Sequence, residues 1–310
     1  MTFKRASHAL AATLAIALSF VLSSQAQATP GDVLVSNAGN IERIAPDGTA
    51  SVFVSTGTSR QLGLAFDAGG NLYAANIGTS TIQRFALDGT ASVFASTGTN
   101  GPIGLAFDAD GNLFAAINMG NAIDRFTRSG TVAVFASTGL NGPSGLAFDA
   151  SGNLYVSNNA DNTIERFTPG GIGSVFASIG LNAPIGLTFD ASGNLYAAND
   201  GDSTVERFTP DGSASLFASL DLGGLAGLAF DGNGTLFVVS PDANNIVRVA
   251  PNGTSSVFAS TGLSAPLFPA FEPQRAAVPE PASAVMLMIG LAGVRWIRRG
   301  TVRRRPCGGS

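Results

Sequence analysis

Apolar residues recur along this chain in short alternating clusters rather than at helical spacing, and the clusters return every 41 residues. Gly-Leu-Ala-Phe-Asp begins at Gly63, Gly104 and Gly145, appears as Gly-Leu-Thr-Phe-Asp at Gly186, and returns at Gly227. Each is followed by a second apolar run (Leu72-Tyr73, Leu113-Phe114, Leu154-Tyr155, Leu195-Tyr196, Leu236-Phe237), then by an Ile-x-Arg-Phe-like run, then by Ser-Val-Phe-Ala-Ser or a close variant. Such short β-rich runs read as strands, and turn chemistry separates them: Asp-Ala-Ser-Gly-Asn at 149–153 after the first run, Pro-Asp-Gly at 210–212 after the third. Four strands in 41 residues make a propeller blade. A β-helix needs a much shorter period, and a leucine-rich repeat needs its own Leu and Asn spacing.

The ends of the pattern set the blade count. The first regular run, Asp32-Val33-Leu34-Val35-Ser36, matches the second strand of a repeat, while Phe268-Pro269-Ala270-Phe271-Glu272 stands 41 residues beyond Gly227 as a worn first strand. This predicts an all-β, six-bladed β-propeller over residues 30–273, closed by one C-terminal strand pairing with three N-terminal ones, which removes free sheet edges at the seam. Pro269 fits only on an innermost strand facing the channel. Two sets of phenylalanines keep the period, one from Phe66 to Phe271 and one from Phe53 to Phe258. They are expected to fill the gaps between blades, each worth about 2–3 kcal/mol when buried.

Both flanks have a different character. Lys4 and Arg5, an apolar stretch from Ala9 to Leu22 and the small-residue pattern Ala26-Gln27-Ala28 predict a secretory signal over residues 1–28, cleaved after Ala28. A linker at 274–281 ends in Val278-Pro279-Glu280-Pro281, and residues 282–310 hold an apolar stretch followed by six arginines. These three features in this order resemble a PEP-CTERM sorting signal. The resemblance implies an exosortase as partner during sorting, transient inner-membrane anchoring, and a final place at the cell surface or in the extracellular matrix of a Gram-negative-type bacterium. A permanent C-terminal anchor with its arginines left in the cytoplasm is the alternative, although the apolar part is short for a lasting span.

Charge changes the picture once the flanks are set aside. Residues 29–281 carry nine arginines, no lysine and all 21 acidic residues, a net charge of −12. Such a body repels phosphate backbones and anionic lipid, so nucleic acid is not an expected partner. The one cysteine, Cys307, lies in the tail, which rules out a disulfide within the propeller.

Gly-Leu-Ala-Phe-Asp-x-x-Gly-Asn-Leu-Tyr followed by Ile-x-Arg-Phe is similar to the NHL-repeat propellers and to their relatives, the gluconolactonases and streptogramin B lyases. The gluconolactonase resemblance implies a divalent metal in the central channel, held by residues just before the first-strand glycine. Here that position reads Leu62, Ile103, Ser144, Ile185, Ala226 and Leu267, and five of the six offer no side-chain oxygen. The lyase resemblance implies a catalytic histidine, but the only histidine is His8 in the signal. Imidazole chemistry is therefore excluded for the propeller. Glu42, Glu165 and Glu206 share one repeat position and read as structural, and the recurring arginines from Arg43 to Arg248 are expected to pair with recurring aspartates such as Asp67 and Asp149.

In a propeller, binding sites break the repeat. Loops after strands one and three read as uniform, whereas loops after strand two vary: Asn158-Asn159-Ala160-Asp161, Asn199-Asp200-Gly201-Asp202 and Pro241-Asp242-Ala243-Asn244. Asp161, Asp200, Asp202 and Asp242 are candidate ligands for Ca2+, and Asn158, Asn159, Asn199 and Asn244 candidate contacts for a sugar, against the plainer reading of solvated turns. No other cofactor is implied. The resulting expectation is an exported, non-enzymatic binding protein whose partner is an extracellular polysaccharide or a surface protein. The alternative is a metal-dependent enzyme of the lactonase or lyase kind.

Overall fold

The computed structural model describes residues 31–272 apart from 57–60 and 87–89. The chain divides into two units, Met1–Pro273 and Gln274–Ser310, and the second lies outside the described residues. So do the secretory signal with Ala26 and Ala28, and the sorting motif Val278, Pro279, Glu280 and Pro281.

The described residues form six four-stranded antiparallel sheets. The first contains β1 (Val33–Asn37), β2 (Asn40–Ile44) and β3 (Ala50–Ser55). The second runs β4 (Gln61–Phe66), β5 (Leu72–Asn76), β6 (Thr81–Phe85), β7 (Ala91–Ser96), and the third β8 (Pro102–Phe107), β9 (Leu113–Ile117), β10 (Ala122–Phe126), β11 (Val132–Ala136). The fourth is β12 (Pro143–Phe148) to β15 (Gly173–Ala177) through β13 (Leu154–Asn158) and β14 (Thr163–Phe167). The fifth is β16 (Pro184–Phe189), β17 (Leu195–Asn199), β18 (Thr204–Phe208), β19 (Ala214–Ser219); the sixth is β20 (Leu228–Phe230), β21 (Leu236–Ser240), β22 (Asn245–Val249), β23 (Ser255–Ala259). A last strand, β24 (Pro269–Phe271), joins the first sheet on the inner side of β1, with Val33 opposite Phe271 and Val35 opposite Pro269. The closure and the inner position of Pro269 are those the sequence implies.

Burial explains the strand compositions. Second strands are covered on both faces by neighbouring blades, so β13 reads Leu-Tyr-Val-Ser-Asn with all five residues buried. The deepest large side chains are not the two periodic phenylalanine sets, most of which are half-buried, but the third-strand Phe126, Phe167 and Phe208 with second-strand leucines. The periodic rings instead line the seams. Tyr155 meets Phe176 of its own blade and Phe189 of the next edge-on, at 4.9 and 5.1 Å between ring centres. Tyr73 and Tyr196 repeat this geometry, and such pairs add about 0.5–1.5 kcal/mol beyond their burial.

Each outer strand exposes an apolar residue at one repeat position: Val52, Val93, Val134, Val175, Leu216 and Val257 are 51–65% exposed. In every blade the pairing of third and fourth strands shifts register, as between Ile123 and Asp124, where Phe135 is passed over. The resulting bulge bends the edge and blunts its capacity to recruit another strand.

Innermost strands leave their own ladder at the conserved-period glycines and turn to their neighbours. Gly186 N–H donates to the Ala226 carbonyl at 3.0 Å and Gly227 N–H to the Leu267 carbonyl at 2.8 Å. At Gly63, Gly104 and Gly145 an added Cβ would overlap the carbonyl oxygen of Ile103, Ser144 or Ile185 in the next blade. Only glycine permits that approach. The channel is thus narrowed by backbone, leaving a cavity of about 220 Å³ lined by Gly63, Gly104, Gly145 and Gly186 and by Leu64, Leu105, Leu146, Leu187 and Leu228.

Candidate functional site

The loops after second strands share a face with the loops that lead from one blade to the next. Asn158, 1% exposed, donates from Nδ2 to the Gly139 carbonyl at 2.9 Å and to Thr163 Oγ1 at 3.1 Å, and accepts the Asn141 N–H at 3.2 Å. Asn199 repeats this with Gly180, Thr204 and Asn182. Asn37 ties the Gly262 and Ser264 backbone in the same way, so the position is a brace between loops. Asn244 stands in the left-handed region at φ 50°, and its Oδ1 accepts the Ala265 N–H at 2.7 Å. Asn121 and Asn162 make the equivalent clasp to Gly142 and Ala183. Asn159 uses its backbone N–H on the Gly142 carbonyl. Three of the four candidate asparagines therefore have their side chains engaged in holding the scaffold.

The aspartates separate into two kinds. Asp161 accepts Asn141 Nδ2 at 2.6 Å, and Asp202 accepts the Thr204 hydroxyl at 2.7 Å, each within its own blade. Asp200 and Asp242 converge from adjacent blades on Gly224. Burial, and then the Asp242 charge, push the Asp200 carboxyl above its ordinary range. The Glu206 carboxyl is likewise raised, by burial first and by Asp202 second, and Glu165 by burial alone. Among the described residues no group of three His, Cys, Asp or Glu side chains is placed to hold a metal ion.

On the opposite face the recurring aspartates close their own turns. Asp149 Oδ1 accepts the Asn153 and Ser151 N–H groups and its Oδ2 accepts Asn153 Nδ2 at 2.8 Å. Direct Arg–Asp pairing is found in the first blade, where Arg43 Nε lies 3.7 Å from Asp32; in the blades with a tyrosine a relay stands in its place, the Tyr155 hydroxyl donating to Asp149 at 3.5 Å with Arg166 beside it. Tyr196 stands in the same way between Asp190 and Arg207. Where the tyrosine is phenylalanine the arginine turns to rings instead, Arg248 lying 4.4 Å over Phe258 and Arg125 5.9 Å over Phe114. A second departure is Arg128, in a loop after a third strand that reads as uniform in sequence. It fills a repeat position held elsewhere by Pro46, Leu87, Pro169, Pro210 and Pro251, a signal present in the alignment of repeats.

A model of the Virginiamycin B lyase family matches residues 32–266. The chain belongs to that family. Among solved structures, this family member is similar to a chain of a nidogen/laminin complex, with TM-score 0.73 and 22% identity over 79% of this chain and 99% of that one. It is also similar to a catalytically inactive virginiamycin B lyase from Staphylococcus aureus with quinupristin, in which alanine replaces a histidine (TM-score 0.59, 19% identity, 67% and 73% covered). A gluconolactonase from Xanthomonas campestris follows at TM-score 0.57, 22% identity, 69% and 84% covered. Identities this low speak to the fold. No curated protein sequence matches significantly.

Proposed function

We propose that this member of the virginiamycin B lyase family is an exported, non-enzymatic binding propeller that an exosortase sorts to the cell surface or matrix, where its partner is an extracellular polysaccharide or a surface protein. The observation that carries the reading is the channel: its cavity is lined mostly by glycines and leucines, and of the positions just before the first-strand glycines only Ser144 carries a side-chain oxygen. The absence of histidine from residues 32–266 supports it, since the Staphylococcus lyase is inactive with alanine in place of a histidine. Acid–base chemistry without imidazole would fall to carboxylates, of which Asp200 and Asp242 converge on the variable face.

The test of the catalytic half is turnover of a cyclic streptogramin and of a sugar lactone by the purified chain, with calcium, magnesium or chelator present. No turnover is expected under any condition, and chelator-sensitive ring opening would overturn the reading. For sorting, cells with and without the exosortase are fractionated; loss of the tail mass and a move to the surface are expected only with it.

A further inference from the structure

Between the second and third blades, on the face opposite the variable loops, lies a cleft of about 480 Å³. That size falls in the range of small-molecule sites, about 300–1,000 Å³. Its lining is bipolar. Two arginines line it, Arg84 and Arg128, together with Ser92 and Ser129, and so does Asp67.

Arg128 is the element that distinguishes this seam from the others. In the fourth blade the same position is Pro169, whose ring lies 3.7 Å from where a Cβ on Gly152 would stand. In the third blade the guanidinium covers Gly111 instead: an added Cβ there would stand 2.7 Å from Nε and 3.1 Å from Nη2 of Arg128. Arg128 Nε donates to the Asp110 carbonyl at 2.8 Å, which fixes the plane of an otherwise exposed side chain. Arg84 comes from the recurring arginine position, and its Nε is buried without a hydrogen bond, as is that of Arg207. Asp67 is held in place by Asn71 and the Tyr73 hydroxyl, and its oxygens keep room for further donors.

We infer that this cleft is a binding site for a carboxylate-bearing sugar, a hexuronate residue of an acidic saccharide. Planar guanidinium groups match a carboxylate in two-point contact. Sugar hydroxyls match Asp67 and the serines, because an aspartate oxygen accepts from hydroxyl groups and repels a second anion. Inorganic phosphate lacks the neutral end that Asp67 requires, and a neutral sugar leaves the arginines unanswered. The site does not depend on whether the chain is exported, sorted or catalytically silent.

The test is calorimetric titration of the purified full-length chain with digalacturonic acid, digalactose and inorganic phosphate. Digalacturonic acid is expected to bind at least tenfold more tightly than either of the others. Arg128→Pro, which restores the residue of four other blades, and Arg84→Gln are each expected to weaken it at least tenfold with the melting temperature of Arg128→Pro unchanged. Arg128→Gln serves in its place if that variant does not fold. Absence of digalacturonate binding, equal binding of phosphate or digalactose, or unaltered affinity in both Arg128 variants overturns the site.

Discussion

Asp200 and Asp242, from adjacent blades, aim carboxylate oxygens at one point: a Cβ on Gly224 would stand 2.6 Å from Asp200 Oδ1 and 3.2 Å from Asp242 Oδ2. Burial and then this neighbour raise the Asp200 pKa. In the unfolded chain the same group ionises near its ordinary value of about 3.9. As pH rises through that value the unfolded state loses its proton first, so stability falls between the unfolded and folded pKa values and the full penalty persists above the folded one. Asp200→Asn is therefore expected to raise the melting temperature at pH 7 by about 1–3 °C, a modest gain for a partly solvated carboxyl. At pH 3, below both values, the gain vanishes. A melt series across pH checks this, and a gain of equal size at pH 3 would assign it to something other than charge.

Calcium is expected to leave the protein unchanged. Hard cations take about six to eight oxygens, and here two carboxylates converge while Asp161 and Asp202 face elsewhere. Ligand binding to the folded state raises its melting point by mass action. Millimolar calcium and excess chelator should give melts within about 1 °C of one another, whereas a clear calcium-dependent rise would restore a metal site on that face.

Gly145→Ala drives a methyl into the Ile185 carbonyl oxygen of the next blade. The inner strand has no room to move without breaking the ring, so overpacking should cost about 1–3 kcal/mol. Gly170→Ala, where the nearest foreign atom to the new Cβ is Thr168 Oγ1 at 3.9 Å, should stay within about 0.5 kcal/mol of the parent. Urea midpoints of the two variants separate close packing from the intrinsic effect of adding a methyl.

Asn158→Ala removes three hydrogen bonds at a buried position and leaves the Gly139 carbonyl and Asn141 N–H without their partner. A loss of about 2–3 kcal/mol is expected by denaturant unfolding, with Asn199→Ala similar. Full stability in these variants would instead favour the asparagines as ligand contacts.

What the sequence makes legible follows from what repeats. The 41-residue step carries the strands, the turns and the seam at Val33 and Phe271, because each depends on local pattern or on counting. Depth of burial was harder to read: Phe66 and Phe94 look like the core from their regularity, yet Phe126 and Phe167 lie deeper, since the stacking of blades decides how much of each ring is covered. The Arg166–Tyr155–Asp149 relay was hidden because tyrosine and phenylalanine alternate at one position and look interchangeable. Arg128 was visible as an odd residue in its column, but its value lies in the cleft beside Arg84, which only the packing of two blades creates.

The strand Pro269–Phe271 closes a ring whose paired ends are separated by almost the whole length of the described chain. An open stack of repeats frays from its termini, one unit at a time. Here the first sheet lacks its innermost strand until the last one arrives, so removing residues 269–271 takes the buckle from a belt rather than a link from a chain. Opening is then expected to be all or none, with the stability of every blade held in common.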